Sequence, residues 1–358
     1  MEVTLFAVDE LTAPHVEAWR SLAGRSVEPN PCFDPEFLLP ALEHLDAERS
    51  VRLLVITEDD VMRFCLPVVR GSRWKRLPVD TLASWHHPYS VLGTPLVDRD
   101  RLRPTMERFV TYLTRDARHP RMTVLEWIGA GAVTDALAES CDPVVYSSFE
   151  RPVLCRRADG DYLRMLSRHR RKSFARRRRQ LEAALGEVHV VDRAGEEDAP
   201  DRFLHVEQSG WKGEAGTAMA STPSHAAFFR AMARRFAEAN RLELLSLETV
   251  DHTVLAMAVR VLAGEGVFQL KIAYDESYRQ FGPGRVLDLE LLSAFHAREH
   301  EQWVDSCTNP GNEFKEALYP GRRRIDTLLI PAEGRLSHAI TSGVPRLRAW
   351  RNALRRPA

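Results

Sequence analysis

The sequence predicts an α/β (α+β) protein of two domains, and three observations lead there. Strand-like and helix-like segments alternate along the first half. In the second half, three β-branched runs follow one another across short turns, the pattern of antiparallel strands. The third run leads into a glycine turn and then a helix. A length of 358 residues suits two domains, each with its own core.

In the first half, Val3 to Val8 reads as a strand, Ala13 to Leu22 as a helix, and Asp34 caps a helix reaching Leu45, with Pro35 at its first position. Arg52 to Thr57, the acidic turn Glu58-Asp59-Asp60, and Val61 to Val69 form a hairpin. Ser84 to Ser90 is a loop dense in aromatic and imidazole groups. Adjacent His86 and His87 cannot both face one metal as an i, i+4 pair can, so they read as a surface or groove-lining pair. A helix from Arg103 to Thr114 and a strand from Met122 to Ile128 follow.

Tyr162 to Gly186 reads as a strongly basic helix with an apolar stripe of Leu166, Phe174, Leu181 and Leu185, stopped by Gly186. Its arginines, Arg170 and Arg171 among them, form either a solvated face or a binding face for a phosphate-bearing substrate or nucleic acid. Helices from Asp201 to Ser209 and His225 to Ala239 flank a glycine-rich loop with Trp211 and Lys212. Glu243 to Thr249, Val254 to Leu262 and Val267 to Ala273 are the three antiparallel strands. Gln302 to Cys307 is a further strand, Asn312 caps a helix through Leu318, and Ile325 to Ile330 is the last strand. The basic tail from Ser337 to Arg355 either docks on the protein or touches an acidic surface, peripheral membrane included. Expected boundaries are 1–150, 151–334 and a tail, 335–358.

Lys+Arg and Asp+Glu are both 50, so the whole chain is no electrostatic binder of nucleic acid. No stretch approaches a bilayer-spanning length, and the N-terminal residues lack a signal peptide's basic and apolar regions; a cytoplasmic protein is expected. Cys32, Cys65, Cys141, Cys155 and Cys307 form no Cys-x-x-Cys, so reduced thiols and no metal are expected.

Arg279-Gln280-Phe281-Gly282-Pro283-Gly284 follows the third strand and opens a helix with an apolar stripe of Leu287, Leu291 and Phe295. Amide N–H groups around Gly284 to Leu287 are expected to be unpaired at the positive end of the helix dipole, where an anion binds. Arg279-x-x-Gly-x-Gly284 resembles the turn with which GNAT-type acyltransferases cradle the pyrophosphate of coenzyme A. It is neither a dinucleotide fingerprint nor a P-loop.

The basic helix, Glu207 to Gly213 with Gly216-Thr217-Ala218, Tyr274-Asp275-Glu276, Gly282-Pro283-Gly284, and Asp305 followed by Phe314-Lys315 together resemble the CelD-like acetyltransferases associated with bacterial cellulose synthesis. That family is similar to the Fem-type aminoacyltransferases, so the resemblance implies tandem GNAT-like halves, each a mixed, mainly antiparallel sheet flanked by helices. The first half lacks the Arg-x-x-Gly-x-Gly pattern and is expected to serve the acceptor. The resemblance implies acetyl-CoA or another acyl-CoA as donor, bound by Arg279, Gln280, Gly282, Gly284, Lys271 and Ile272, with the thioester in a splay between strands. It implies Glu207 as first and Asp305 as second choice of general base, and Tyr274 or Tyr278 as the acid that protonates the thiolate. Trp211, Lys212, Lys315, Arg170 and Arg171 are expected on a small-molecule or saccharide acceptor, with surface salt bridges the simpler reading of the lysines. Two rivals remain: an aminoacyl-tRNA-dependent transferase whose basic helix grips RNA, and a non-catalytic accessory protein of polysaccharide assembly.

Overall fold

The structure is a computed structural model that describes residues 1–75, 77–115, 120–157, 166–210, 215–295, 298 and 301–354. The chain divides into two compact units: Met1–Leu38 with Asp46–Glu150 and Arg323–Ala358, and Leu39–Leu45 with Arg151–Arg322.

The first unit begins with β1 (Glu2–Ala7), α1 (Ala13–Arg25) and α2 (Pro35–His44), whose last residues are assigned to the second unit. Then come β2 (Arg52–Glu58), β3 (Val61–Gly71), β4 (Thr81–Ser84), β5 (Leu96–Val97), α3 (Leu102–Arg115), β6 (Met122–Gly129) and α4 (Ala132–Ser140). The pairs β1/β2, β2/β3 and β3/β4 are antiparallel, and β4/β6 is parallel. The sheet is therefore mixed and mainly antiparallel, as expected. The β2–β3 hairpin turns on Asp59 (φ 51°) and Asp60 (φ 61°), both left-handed, which matches the right-handed twist of its strands. Asp60→Gly removes a side chain from that conformation and should raise stability by up to about 1 kcal/mol in urea unfolding.

The second unit takes the end of β7 (Val144–Cys155), then α5 (Arg168–Leu185), β8 (Val188–Asp192), α6 (Ala199–Gln208), α7 (Pro223–Glu238), β9 (Leu242–Thr249), β10 (Val254–Ala263) and β11 (Gly266–Tyr274). It closes with α8 (Pro283–Ala294), β12 (Trp303–Asp305) and α9 (Glu313–Leu318). The strands lie in the order β7, β12, β11, β10, β9, β8. Only β11/β12 is parallel among them. One face packs Val286, Leu287 and Leu291 of α8 on Leu245, Leu247, Leu255, Ala256 and Ala258. Each such leucine contributes about 1.5–3 kcal/mol of apolar burial, which fixes α8 against β9 to β11.

Several boundaries differ from expectation for local reasons. The basic helix starts at Arg168, with the Ser167 hydroxyl accepting from Arg170 N–H, and ends at Gly186 (φ 88°); the expected start, residues 162–165, lies outside the described residues. Strand β12 stops at Asp305 because its carboxylate accepts from Cys307 N–H, with Cys307 left-handed (φ 53°). After β13 (Gly321–Pro331), whose later residues belong to the first unit and pair antiparallel with β6, the tail forms helix α10 (Arg335–Leu354). It docks. Val344 and Ile340 join Trp74, Met122, Val124 and Leu329 in one core, and Arg348 Nη1 donates to the Tyr146 carbonyl at 2.6 Å.

Candidate functional site

The chemistry-bearing residues of the second unit gather around β11. Its parallel partner β12 shares only the pairs Gly266–Trp303, Val267–Val304 and Phe268–Asp305 with it. Strand β12 ends at that last pair, so from Gln269 onward this edge of β11 has no neighbouring strand among the described residues. On the other edge the pairing with β10 skips Leu270, because Val259 faces Lys271 while Arg260 faces Gln269. Such a bulge re-aims backbone groups next to it. Lys271 and Ile272 then point to opposite faces. Lys271 meets α6, and Ile272 lies under the start of α8.

At the end of β11 the chain makes a 3-10 turn over Glu276–Phe281, with Arg279 and Gln280 exposed. Gly282 follows in the left-handed region (φ 62°, ψ 54°), a conformation that favours glycine. A Cβ there would stand 3.2 Å from Arg177 Nη1 and 3.9 Å from Arg285 Cδ. Gly284 serves a different end. Its own Cβ would meet the Tyr274 ring at 3.3 Å and Ile272 at 3.8 Å, so its smallness lets α8 pack closely on β11.

The expected row of unpaired amides needs correction. The Arg285 and Val286 N–H groups both bond the Gly282 carbonyl, at 3.0 and 3.2 Å, Gly282 N–H bonds the Arg279 carbonyl, and Pro283 has no N–H. The Arg177 guanidinium faces the turn at Gly282, while that of Arg285 lies over the Phe314 ring at 5.3 Å.

Glu207, on α6, is buried. Its Oε1 accepts from Lys271 Nζ at 2.6 Å and its Oε2 from Met219 N–H at 2.9 Å. Both carboxylate oxygens of Glu207 thus accept hydrogen bonds. Tyr274 is the complementary group: burial and the hydrogen-bonded Glu276 carboxylate push its phenol pKa up, so it stays protonated at neutral pH. Tyr278 packs against the core under α8.

Asp305 and Lys315 are placed differently from expectation. Asp305 is fully buried, 3.7 Å from Arg151 Nη1, which is equally buried. Lys315 is no surface cation. Its Nζ donates to Asp288 Oδ1 at 2.6 Å and Gln269 Oε1 at 3.0 Å; Gln269 Nε2 donates to Asp288 Oδ1 at 2.7 Å, and Tyr319 Oη donates to Gln269 Oε1 at 3.0 Å. This network ties α8 and α9 to β11 where β12 ends. Arg170 Nη1 donates to the Ala317 carbonyl at 3.0 Å, Arg171 is exposed, and Trp211 and Lys212 lie outside the described residues.

Residues 168–316 match the family described as acetyltransferase (GNAT) domain. The mixed sheet flanked by helices is GNAT-like. Among solved structures, a conserved protein of unknown function from Bacteroides thetaiotaomicron aligns over 92% of this chain and 100% of its own, at 11% identity and a TM-score of 0.58. FemX aligns over 90% and 97%, at 11% identity and 0.56. L-PGS from Bacillus licheniformis aligns over 90% and 98%, at 13% identity and 0.51. At these identities the likeness is one of fold. No protein in the curated comparison matches the chain. No helix among the described residues is long and apolar enough to cross a membrane.

Arg177 and the Glu207–Lys271 pair are what sequence reading missed. Arg177 had a signal: it stands three residues after Phe174 and four before Leu181, on the inward stripe of α5.

Proposed function

We propose that the second unit takes an acyl-CoA, acetyl-CoA being the simplest, and transfers its acyl group to an amine or hydroxyl of a small-molecule or saccharide acceptor. One observation carries this reading. Within the span that matches the GNAT family, a strand whose parallel neighbour ends halfway along it runs into a left-handed glycine turn faced by Arg177.

In this reading the donor's pyrophosphate takes the Gly284 N–H with Arg177 and Arg285, beside Gly282, Arg279 and Gln280. The acyl arm follows the unpaired edge at Lys271 and Ile272, where backbone N–H groups polarise the thioester carbonyl. Glu207 accepts the proton of the attacking acceptor as the new C–N or C–O bond forms, and the C–S bond breaks. Tyr274 gives its proton to the departing thiolate, with Tyr278 as the alternative donor. Trp211, Lys212, Arg170 and Arg171 are assigned to the acceptor; Asp305 and Lys315 act by holding β12 and α8 in place. The resemblance to CelD-like proteins supports a polysaccharide precursor as acceptor.

Arg177→Glu should weaken coenzyme A binding by about tenfold or more while the thermal melt stays near wild type, because a charge-assisted contact is lost and a repulsion added. Calorimetry reads this directly.

A second reading has its own observation. Arg168, Lys172, Arg176 and Arg179 are all exposed and spaced i, i+4, i+8, i+11 along α5, a continuous cationic stripe. With the fold likeness to FemX, it supports a donor carried on tRNA. Thiol release from acetyl-CoA across a panel of amines and sugars separates the readings. Acceptor-dependent release supports the acyl-CoA enzyme, transfer that requires charged tRNA supports the second reading, and binding without turnover makes the chain an accessory protein.

A further inference from the structure

Just past the ring-rich loop singled out in the sequence, the chain at Gly93 crosses β6 beside Trp127, a strand residue with a left-handed backbone. Trp127 has φ 56° inside β6, left-handed for a bulky side chain. That conformation costs about 1–3 kcal/mol and persists only where the surroundings impose it. The surroundings here are explicit. Strand β6 carries an extra residue against β13, since Asp326 faces Ile128 and Leu328 faces Leu125. Gly93 N–H donates to the Trp127 carbonyl at 2.9 Å, and a Cβ on Gly93 would stand 1.9 Å from the Glu126 carbonyl oxygen, so the crossing requires glycine. Asn30 Nδ2 holds the crossing loop through the carbonyls of Leu92 and Thr94, at 3.2 and 2.7 Å.

The result is an indole ring held in one direction. It meets the His86 ring at 4.5 Å and the Phe149 ring edge-on at 5.5 Å and 75°. The group is open to water: Trp127 and Phe149 are half-buried and His86 is exposed. The Glu126 carboxylate and the Lys75 ammonium, 3.9 Å apart, both lie within electrostatic reach of His86. Among the described residues, Glu126 Oε1 accepts from Trp74 Nε1 and Oε2 from Thr327 Oγ1. Burial of part of the residue and then the Lys75 charge push the His86 pKa down against Glu126, so the imidazole offers one donor and one acceptor.

From this arrangement we infer that the first unit binds a saccharide ring at His86, Trp127 and Phe149, with Glu126 and Lys75 on its hydroxyl groups. A hexose presents an apolar C–H face beside a rim of hydroxyls, which matches an aromatic platform edged by a carboxylate, an imidazole and an ammonium. A nucleoside would stack its base on the rings, but the base brings no rim of hydroxyls to Glu126 and Lys75, so it would use only part of the site. The inference needs neither the donor nor turnover, so it stands or falls apart from the transferase reading.

Calorimetric titration of the full chain with cellotetraose and with chitotetraose tests it, with adenosine as the comparison. At least one oligosaccharide should bind saturably and adenosine should not. Trp127→Gly suits the left-handed backbone, so it should keep the fold by circular dichroism while weakening that binding by about tenfold or more. Phe149→Leu, which leaves the strained residue untouched, should weaken it severalfold. Failure of both oligosaccharides to saturate, equal or tighter binding of adenosine, or unchanged affinity in both variants would overturn the inference.

Discussion

Replacing Glu207 by Gln should lower kcat by about a hundredfold or more, the size expected when a general base is removed without a change of shape. The side chain keeps its size, although its one amide oxygen accepts from either Met219 N–H or Lys271, which meet different oxygens of the carboxylate. Donor affinity should therefore hold, and kcat and kcat/KM should fall together, as they do when an interaction of the transition state is lost. Lys271→Met is the control, since it breaks the same ion pair but leaves the carboxylate. It should retain far more of kcat than Glu207→Gln. If the two variants lose activity equally, the pair is structural and Glu207 is not the base.

Lys315→Met should destabilise the second unit by about 3–5 kcal/mol, because it strands the Asp288 carboxylate in a site from which water is excluded. The double variant Lys315→Met/Asp288→Leu removes both charges and should recover most of that loss in denaturant unfolding. A double variant no more stable than the single one would mean that Gln269 and Tyr319, not the ion pair, hold the network. The pH dependence has a definite sign. Burial pulls the Lys315 pKa down, but Asp288 and Tyr319 outweigh it and the group ends raised. The pair's stability is thus fully present below the ordinary lysine range and lost as pH rises through the raised folded value.

Local patterns were legible in the sequence, and distant pairings were not. The strand, glycine turn and helix from Val267 to Phe295, the three-strand meander before it, the Asn312 cap and the Gly186 stop all follow from neighbours within a few residues. Gly284 was read as room for an anion, yet it is the Tyr274 ring that comes close; a turn pattern states that a Cβ is unwelcome, not which neighbour excludes it. Lys315 read as a surface charge and Asp305 as a second base because charged residues are rarely buried unless paired, and their partners Asp288 and Arg151 are 27 and 154 positions away in the chain. Strand β8 and helix α4 are short and carry weak periodicity, so their place is set by the sheet and core they join.

The measurement that bears most directly on the transferase reading is calorimetric titration of the wild-type chain, Arg177→Glu and Gly282→Val with coenzyme A. The account predicts saturable single-site binding by wild type. Arg177→Glu loses the cation at the turn and Gly282→Val places a branched side chain in a left-handed backbone, so both should bind at least about tenfold more weakly. Wild-type protein that does not bind coenzyme A, or variants that bind it as well as wild type, would contradict the account.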